Sequence, residues 1–137
     1  MKIEFTVFGK PEPQGSTRAF IPKGWNRAII TSDNPKLKSW RQELAKAAMV
    51  ACCEAETIEF PIPGSIPLQV ALKFFFAPPK KVRAQHKTTR PDVDKLMRAA
   101  LDGMTGIVYH DDSQVSHALI TKSFGVPERV EIYVATL

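Results

Sequence analysis

The stretch RPDVDKLMRAALDGMTGIVYHDDSQV, residues 90–115, carries the most informative pattern in this chain of 137 residues. It contains five of the fourteen acidic residues and follows directly on the most basic segment, residues 80–90, which has five Lys or Arg and no Asp or Glu. The formal net charge of the chain is +5, so the charges outside residues 80–90 sum to zero. A carboxylate cluster repels nucleic acid unless it holds a cation, whereas a basic segment attracts it. Together they favour a metal-dependent enzyme acting on phosphodiesters.

Length and composition predict one folded domain over residues 1–137, since 44% hydrophobic and 24% charged residues are typical of globular chains. No apolar run is long enough to cross a bilayer, and the chain starts directly in an alternating strand, so we expect neither a membrane anchor nor a signal peptide. Cys52 and Cys53 are adjacent and have no other cysteine to pair with. This predicts a reduced, cytoplasmic protein with two ordinary thiols and neither a disulfide framework nor a zinc site.

The first half of the chain predicts a strand, a long loop and a helix. Residues 2–8 alternate like a half-buried strand, and the Gly- and Pro-rich residues 9–26 predict a surface loop, followed by a possible short strand at 27–31. Asn34 as N-cap and Pro35 at the first helical position predict a helix that runs to about residue 54. Its apolar stripe consists of Leu37, Trp40, Leu44, Ala47, Ala48 and Ala51.

The second half predicts a central strand at 68–76, a helix from Asp92 to Leu101 or Met104, and two closing strands. The closing strands, 115–124 and 128–136, are joined by Gly125-Val126-Pro127, which favours a hairpin. The fold class is therefore α+β: a mixed β-sheet with two main helices packed on it, in the order β-(β)-α-β-α-β-β.

The basic segment, residues 80–90, has no apolar periodicity, so we expect it to stay mobile without a partner. Such a charge run can be no more than a solvated loop, but its position next to the aspartates favours contact with DNA phosphates. The residues assigned to DNA binding are Arg18, Lys23, Lys80, Lys81, Arg83, Lys87, Arg90 and Lys95.

The carboxylates admit a structural and a catalytic interpretation. Asp92 and Asp94 stand at the start of a predicted helix, where capping is common, and Asp111-Asp112 alone is typical of a turn. If the chain folds back along the helix, these carboxylates approach one another and repel unless a cation lies among them. Oxygen ligands alone suit Mg²⁺ or Mn²⁺.

The same run resembles the signature of the RusA family of Holliday-junction resolvases, R-x-D-x-D-N-L-x-K, then D-A-L or D-G-L, then D-D-x-Q-V. The matching positions are Arg90, Asp92, Asp94, Leu96, Asp102, Asp111, Asp112, Gln114 and Val115. The resemblance extends over nearly the whole chain, including the opening strand and the Pro-rich loop with Gly15 and Arg18. It implies that Asp92, Asp94 and Asp112 bind a catalytic magnesium ion. We add Asp111 to the predicted metal site, as a ligand or as a close neighbour of the ligands. It also implies a homodimer that cuts four-way DNA junctions, and a prophage origin is common for such proteins.

Two positions depart from the family pattern, because its Asn is Lys95 here and its helical Lys is Arg98. Arg98 follows Asp94 by one helical turn and can act only as a fixed positive charge, since Arg stays protonated in proteins. Its structural alternative is an ion pair with Asp102 on a solvated face. His110 and His117 invite a general-base role, but a lone His beside a turn is more often a bystander.

These patterns predict a Mg²⁺-dependent endonuclease for branched DNA, with Asp92, Asp94, Asp112 and Arg98 as catalytic residues and no small-molecule cofactor. Two alternatives remain open. One is a DNA-binding protein of the same fold that has lost activity through the changes at 95 and 98. The other is a nuclease for flaps or replication forks.

Overall fold

The structure, a computed structural model, describes residues 1–15, 17–32, 34–56 and 58–137, and within them the side chains of residues 17, 18, 31 and 32 are not described. The strands and helices follow the order β-β-β-α-β-α-β-β. They are β1 (Lys2–Phe8), β2 (Thr17–Phe20), β3 (Ile29–Ser32), α1 (Leu37–Glu54), β4 (Leu68–Phe76), α2 (Val93–Met104), β5 (Val115–Phe124) and β6 (Arg129–Thr136). The predicted α+β class is confirmed.

The main sheet has the strand order β1-β6-β4-β5. Strands β4 and β5 are parallel and are connected through α2, which supplies the long crossover that parallel strands need. Strand β6 pairs antiparallel with both β1 and β4. Strands β2 and β3 form a separate antiparallel pair, so the predicted loop at 9–26 contains a strand.

The predicted hairpin of the two closing strands is wrong, because β4 lies between β5 and β6. Burial explains the order: β6 is buried or half-buried throughout and takes an inner position, while β5 exposes its first half and takes the edge. The connection from β5 to β6 crosses the end of β4, where the Gly125 N–H donates to Phe76 O at 2.9 Å. A Cβ at Gly125 would lie 2.9 Å from the Phe75 ring, so only glycine passes here without a shift.

The core lies on one face of the sheet. Along β4, Val70, Leu72 and Phe74 are buried, while the alternate residues are half-buried or exposed, so one face is covered and the other is open. The apolar stripe of α1 is confirmed, with Leu37, Trp40, Leu44 and Ala48 buried. Helices α1 and α2 approach closely, since a Cβ at Gly103 would lie 3.0 Å from a methyl group of Leu44.

Asn34 does not cap α1 as predicted. The helix begins at Leu37 after a turn, and its N-cap residue Lys36 makes no side-chain capping bond. Asn34 Oδ1 accepts instead from the Lys36 N–H at 3.1 Å, and its Nδ2 donates to Pro13 O at 2.8 Å. Asn34 therefore ties the Pro-rich loop to the turn before α1. Within the described ranges, neither helix has the length and apolar composition needed to span a membrane.

Candidate active site along helix α2

Asp92 and Asp94 stand at the start of α2, as predicted, but they do not cap it. Asp92 occupies the N-cap position with extended backbone (φ −72°, ψ 144°), and its side chain makes no capping hydrogen bond. Asp94 lies in the first turn. Both carboxylates are exposed, and neither has a hydrogen bond or an ion pair with any described residue. The capping interpretation is therefore wrong for Asp92, and both carboxylates are available to a ligand.

One face of α2 carries Asp94, Arg98 and Asp102, each one turn beyond the last. The ion pairs among the described residues are Lys46–Glu43 and Arg129–Glu131, and Arg98 takes part in neither. The ion pair of Arg98 with Asp102, the structural alternative to a catalytic role, is thus absent. Arg98 is exposed, so its guanidinium is available to an anion.

The D-D-x-Q motif, residues 111–114, forms a capped turn after α2. Asp111 caps a 3-10 helix at Asp112–Gln114, its carboxylate accepting from the Ser113 N–H at 2.9 Å, which lowers the pKa of Asp111. Gln114 completes this capping box by accepting from the Asp111 N–H at 2.9 Å. Gln114 is buried and donates to Pro63 O at 2.7 Å, which anchors the turn to the connector before β4. Asp111 therefore has a structural function, and sequence analysis missed the capping-box spacing that indicates it.

Asp112 lies at the C-terminal end of α2. Partial burial raises the pKa of the Asp112 carboxyl, and the neighbouring carboxylates of Asp111 and Asp102 raise it further. Tyr109 is a buried neighbour of Asp112, and its hydroxyl donates to Leu101 O at 2.7 Å. Burial, followed by the charge of Asp112, also raises the pKa of Tyr109, so the phenol stays protonated.

The predicted metal ligands form two separate pairs in one chain. Asp102 follows Asp94 by eight residues, a separation of about 12 Å along the helix axis. Asp112 interacts with Asp102 and Asp111, and neither Asp92 nor Asp94 is among its partners. Among the residues that the structure describes, no group of three or more His, Cys, Asp or Glu is placed to hold a metal ion. The three-aspartate site therefore stays a prediction, although Mg²⁺ often takes only one or two carboxylates and completes its shell with water and substrate phosphates.

A groove of about 590 Å³ runs between the Pro-rich loop and the start of α2. Lys10, Arg90 and Lys95 line it together with Glu12 and Asp92, so three cations share the groove with the exposed Asp92 carboxylate. The Gln14 N–H donates to Lys95 O at 3.0 Å and holds the loop against α2. Arg90 and Lys95 were predicted to bind DNA, whereas Lys10 was missed, and only its place in a Gly- and Pro-rich loop indicated it.

A second groove, of about 680 Å³, adjoins the first through Gln14. It is lined by Lys38 and Arg41 of α1 and by Asp102 of α2. Sequence analysis missed both cations, because they lie within an ordinary amphipathic helix and only the packing of α1 against α2 places them in the groove that Asp102 lines.

The second half of the basic segment, which we expected to stay mobile without a partner, makes main-chain hydrogen bonds to the sheet. It pairs with the free edge of β5, where the Lys87 N–H donates to Lys122 O at 3.2 Å and the Phe124 N–H to Gln85 O at 2.9 Å. The Lys87 ammonium lies 5.4 Å from the Phe76 ring centroid and 5.5 Å from that of Phe124. Burial, followed by the charges of Lys122 and Lys10, lowers the pKa of Lys87. Lys87 therefore anchors the segment.

The other predicted DNA-binding residues are solvent-facing where the structure describes them. Lys80, Lys81 and Arg83 are exposed around the turn that follows β4, and Lys23 is exposed between β2 and β3. The side chain of Arg18 lies outside the described residues. His110 is exposed next to Asp111, while His117 lies on the edge strand β5 on the open face of the sheet, opposite Gln69. Burial, followed by the neighbouring Cys53, raises the pKa of Cys52 to about 11, as expected of an unreactive thiol.

We expect Asp112→Asn to raise the melting temperature slightly when EDTA removes divalent cations. The raised pKa means that native Asp112 binds its proton more tightly than in the unfolded chain, so its charge costs stability at neutral pH. A like-charge contact at the surface costs a few tenths of a kcal/mol, so the gain should be about 1–3 °C at pH 7. It should vanish below about pH 4, where the wild-type carboxyl is neutral too. Thermal melting followed by circular dichroism measures both effects, and a lower melting temperature at pH 7 would mean that charged Asp112 is stabilising.

Comparisons with known proteins show the family of this chain. The family model described as endodeoxyribonuclease RusA matches residues 9–135. The uncharacterized protein YqaN of Bacillus subtilis (strain 168) is 31% identical over 144 residues, which cover 96% of this chain and 94% of that protein. The crossover junction endodeoxyribonuclease rusA of Lactococcus phage r1t is 40% identical over 70 residues, 50% of this chain and 53% of the phage protein. With a family match over nearly its whole length, this chain belongs to the RusA family of endodeoxyribonucleases.

Proposed function

We propose that this protein is a Mg²⁺-dependent endonuclease that hydrolyses phosphodiesters at four-way DNA junctions and acts as a homodimer. One observation carries the proposal. Asp92 and Asp94 are exposed and have no partner among the described residues, and Asp92 lines a groove that Lys10, Arg90 and Lys95 also line. Such a groove attracts a phosphate through its cations and presents carboxylates that repel it unless a cation is bound.

The side chains divide the work between them. Lys10, Arg90 and Lys95 hold phosphates of the strand that enters the groove. Asp92 and Asp94 provide oxygen ligands, and a bound Mg²⁺ would supply an activated water and offset charge on the leaving oxygen. Arg98, one turn beyond Asp94, provides a fixed positive charge for the phosphate during attack.

A homodimer suits the substrate, because a four-way junction has near two-fold symmetry and its resolution needs two cuts. The geometry of one chain supports the same proposal. Asp92 and Asp94 lie at the opposite end of α2 from Asp102 and Asp112, so the remaining ligands would come from DNA phosphates, water or a second copy of the chain.

The function is tested by incubating the protein with a mobile four-way junction, a flapped duplex and a linear duplex, each with Mg²⁺ and with EDTA. Paired cuts in the junction alone, dependent on Mg²⁺, would support the proposal. Faster cleavage of the flap would favour the flap or fork nuclease. Tight binding without cleavage would favour the inactive DNA-binding protein. The exposed carboxylates argue against that last alternative, since a binding protein gains nothing from repelling phosphate.

Replacing Lys80, Lys81 and Arg83 together by Ala should weaken junction binding and flatten its salt dependence. The slope of log K against log[salt] falls by about 0.9 for each lost phosphate contact, so a loss of up to about 2.7 is expected. Fluorescence anisotropy over a series of salt concentrations measures it. Lys46→Ala is the control, because Lys46 is an exposed lysine of α1 paired with Glu43. An unchanged slope in the triple variant would mean that this turn does not contact DNA.

A further inference from the structure

Lys122 breaks the apolar alternation of β5. The residues of β5 opposite the buried positions of β4 are Ala118, Ile120, Lys122 and Phe124, and Lys122 stands opposite the fully buried Phe74. An apolar residue is expected at this position, because it belongs to the covered face of the sheet. A residue that breaks the local pattern usually has a particular task.

The ammonium of Lys122 holds the chain at the entrance to α2. Its Nζ donates to Thr89 O and to Pro91 O, each at 2.8 Å. Hydrogen bonds from a charged donor are shorter and stronger than neutral ones. We call these two hydrogen bonds from Lys122 the clamp. A further hydrogen bond holds the same segment, since the Lys87 ammonium donates to Thr89 Oγ1 at 2.8 Å. The main chain at 89–91 is therefore fastened to β5 by the Lys122 side chain, while Lys87 holds the Thr89 side chain.

The clamp matters for the carboxylates because Pro91 directly precedes Asp92. No described residue donates a hydrogen bond to the side chain of Asp92 or Asp94, so the path of the main chain decides where these carboxylates lie. That path is held on one side by the Gln14 N–H, which donates to Lys95 O, and on the other by Lys122.

We propose that Lys122 is a positioning residue, which fixes Pro91 and so places the Asp92 and Asp94 carboxylates for the cation and the scissile phosphate. The inference rests on the proposed function, since it assigns Lys122 a part in the same site. Partners of this kind, which orient a ligand without touching the metal, typically change metal affinity or activity by about 10- to 100-fold when they are removed. The alternative is that Lys122 only stabilises the fold.

Three variants separate these two functions. Lys122→Met keeps the aliphatic stem and removes both hydrogen bonds, and Lys122→Arg restores a charged donor. Ile3→Ala is the matched control, because Ile3 is buried on β1 at the other edge of the sheet and its truncation lowers stability without touching this segment. Two quantities are measured for each variant: the Mg²⁺ concentration that gives half-maximal junction cleavage, and amide hydrogen exchange over residues 92–97.

For Lys122→Met we expect a Mg²⁺ requirement raised by about tenfold or more and faster exchange at 92–97. Lys122→Arg should recover most of both properties, and Ile3→Ala should keep the wild-type Mg²⁺ requirement despite its lower melting temperature. If Lys122→Met matches Ile3→Ala in both measurements, the positioning function is wrong. If the wild-type protein cleaves no junction, the proposed function fails. The inference about Lys122 is then tested by hydrogen exchange alone, and unchanged amide exchange at residues 92–97 in Lys122→Met would overturn it.

Discussion

Asp92→Asn is expected to abolish cleavage of a four-way junction while junction binding stays equal or becomes tighter. The substitution removes a cation ligand and, at the same time, a charge that repels phosphate. The loss should exceed about 100-fold, the upper end for removing a group that merely supports a ligand. Initial cleavage rates at saturating Mg²⁺, measured beside the binding constant in Ca²⁺ or EDTA, test both parts.

The same experiment on Asp112→Asn and Asp102→Asn asks which carboxylate at the other end of α2 takes part. The resemblance to the family assigns the cation to Asp112, whereas the structure places Asp102 directly beside it. Glu43→Gln is the control, because Glu43 is an exposed carboxylate of α1 paired with Lys46. We expect Asp112→Asn to be inactive and Glu43→Gln to be fully active. Wild-type turnover by Asp92→Asn or Asp112→Asn would remove that residue from the site.

Arg98→Ala should lose roughly 10²-fold or more in cleavage rate, the scale for losing one contact to transition-state charge. Arg98→Lys should keep substantial activity, because a fixed positive charge is all that this position can supply. Single-turnover rates with excess enzyme are the measurement. Since Arg98 makes no ion pair with any described residue, neither substitution should change the melting temperature by more than a degree or two.

The pH dependence gives an independent check on Arg98. Arginine stays protonated throughout the working pH range. The cleavage rate should therefore depend on pH in the same way in the wild-type protein and in Arg98→Lys. If Arg98→Ala cleaves at the wild-type rate, the residue is only a solvated helical side chain. The positive charge for the reaction would then have to come from Lys95 or from the cations of the basic segment.

Local patterns were enough to predict the family, the four strands of the main sheet and the two helices, but not strand β2 inside the predicted loop. The alternation of residues 2–8 and 68–76 and the apolar stripe of α1 each report burial of one face, and a face repeats every two or about 3.6 residues whatever the neighbours are. The motif from Arg90 to Val115 identified the family for the same reason, since its residues are close in sequence. It also placed Asp92 and Asp94 correctly at the start of α2.

Everything that depends on which strand lies beside which was decided by the tertiary structure. A three-residue connection favours a hairpin, yet β6 lies between β1 and β4, because that position buries its apolar side chains and leaves the more polar β5 at the edge. The same arrangement brings the Lys122 ammonium to Pro91 O and places Lys38 in the groove that Asp102 lines, although these residues are far apart in sequence. It also holds Asp112 at the far end of α2 from Asp92, because the helix runs antiparallel to β4 and delivers the chain to the start of β5. The sequence shows which carboxylates the motif contains. The direction of the helix decides which of them are close together in space.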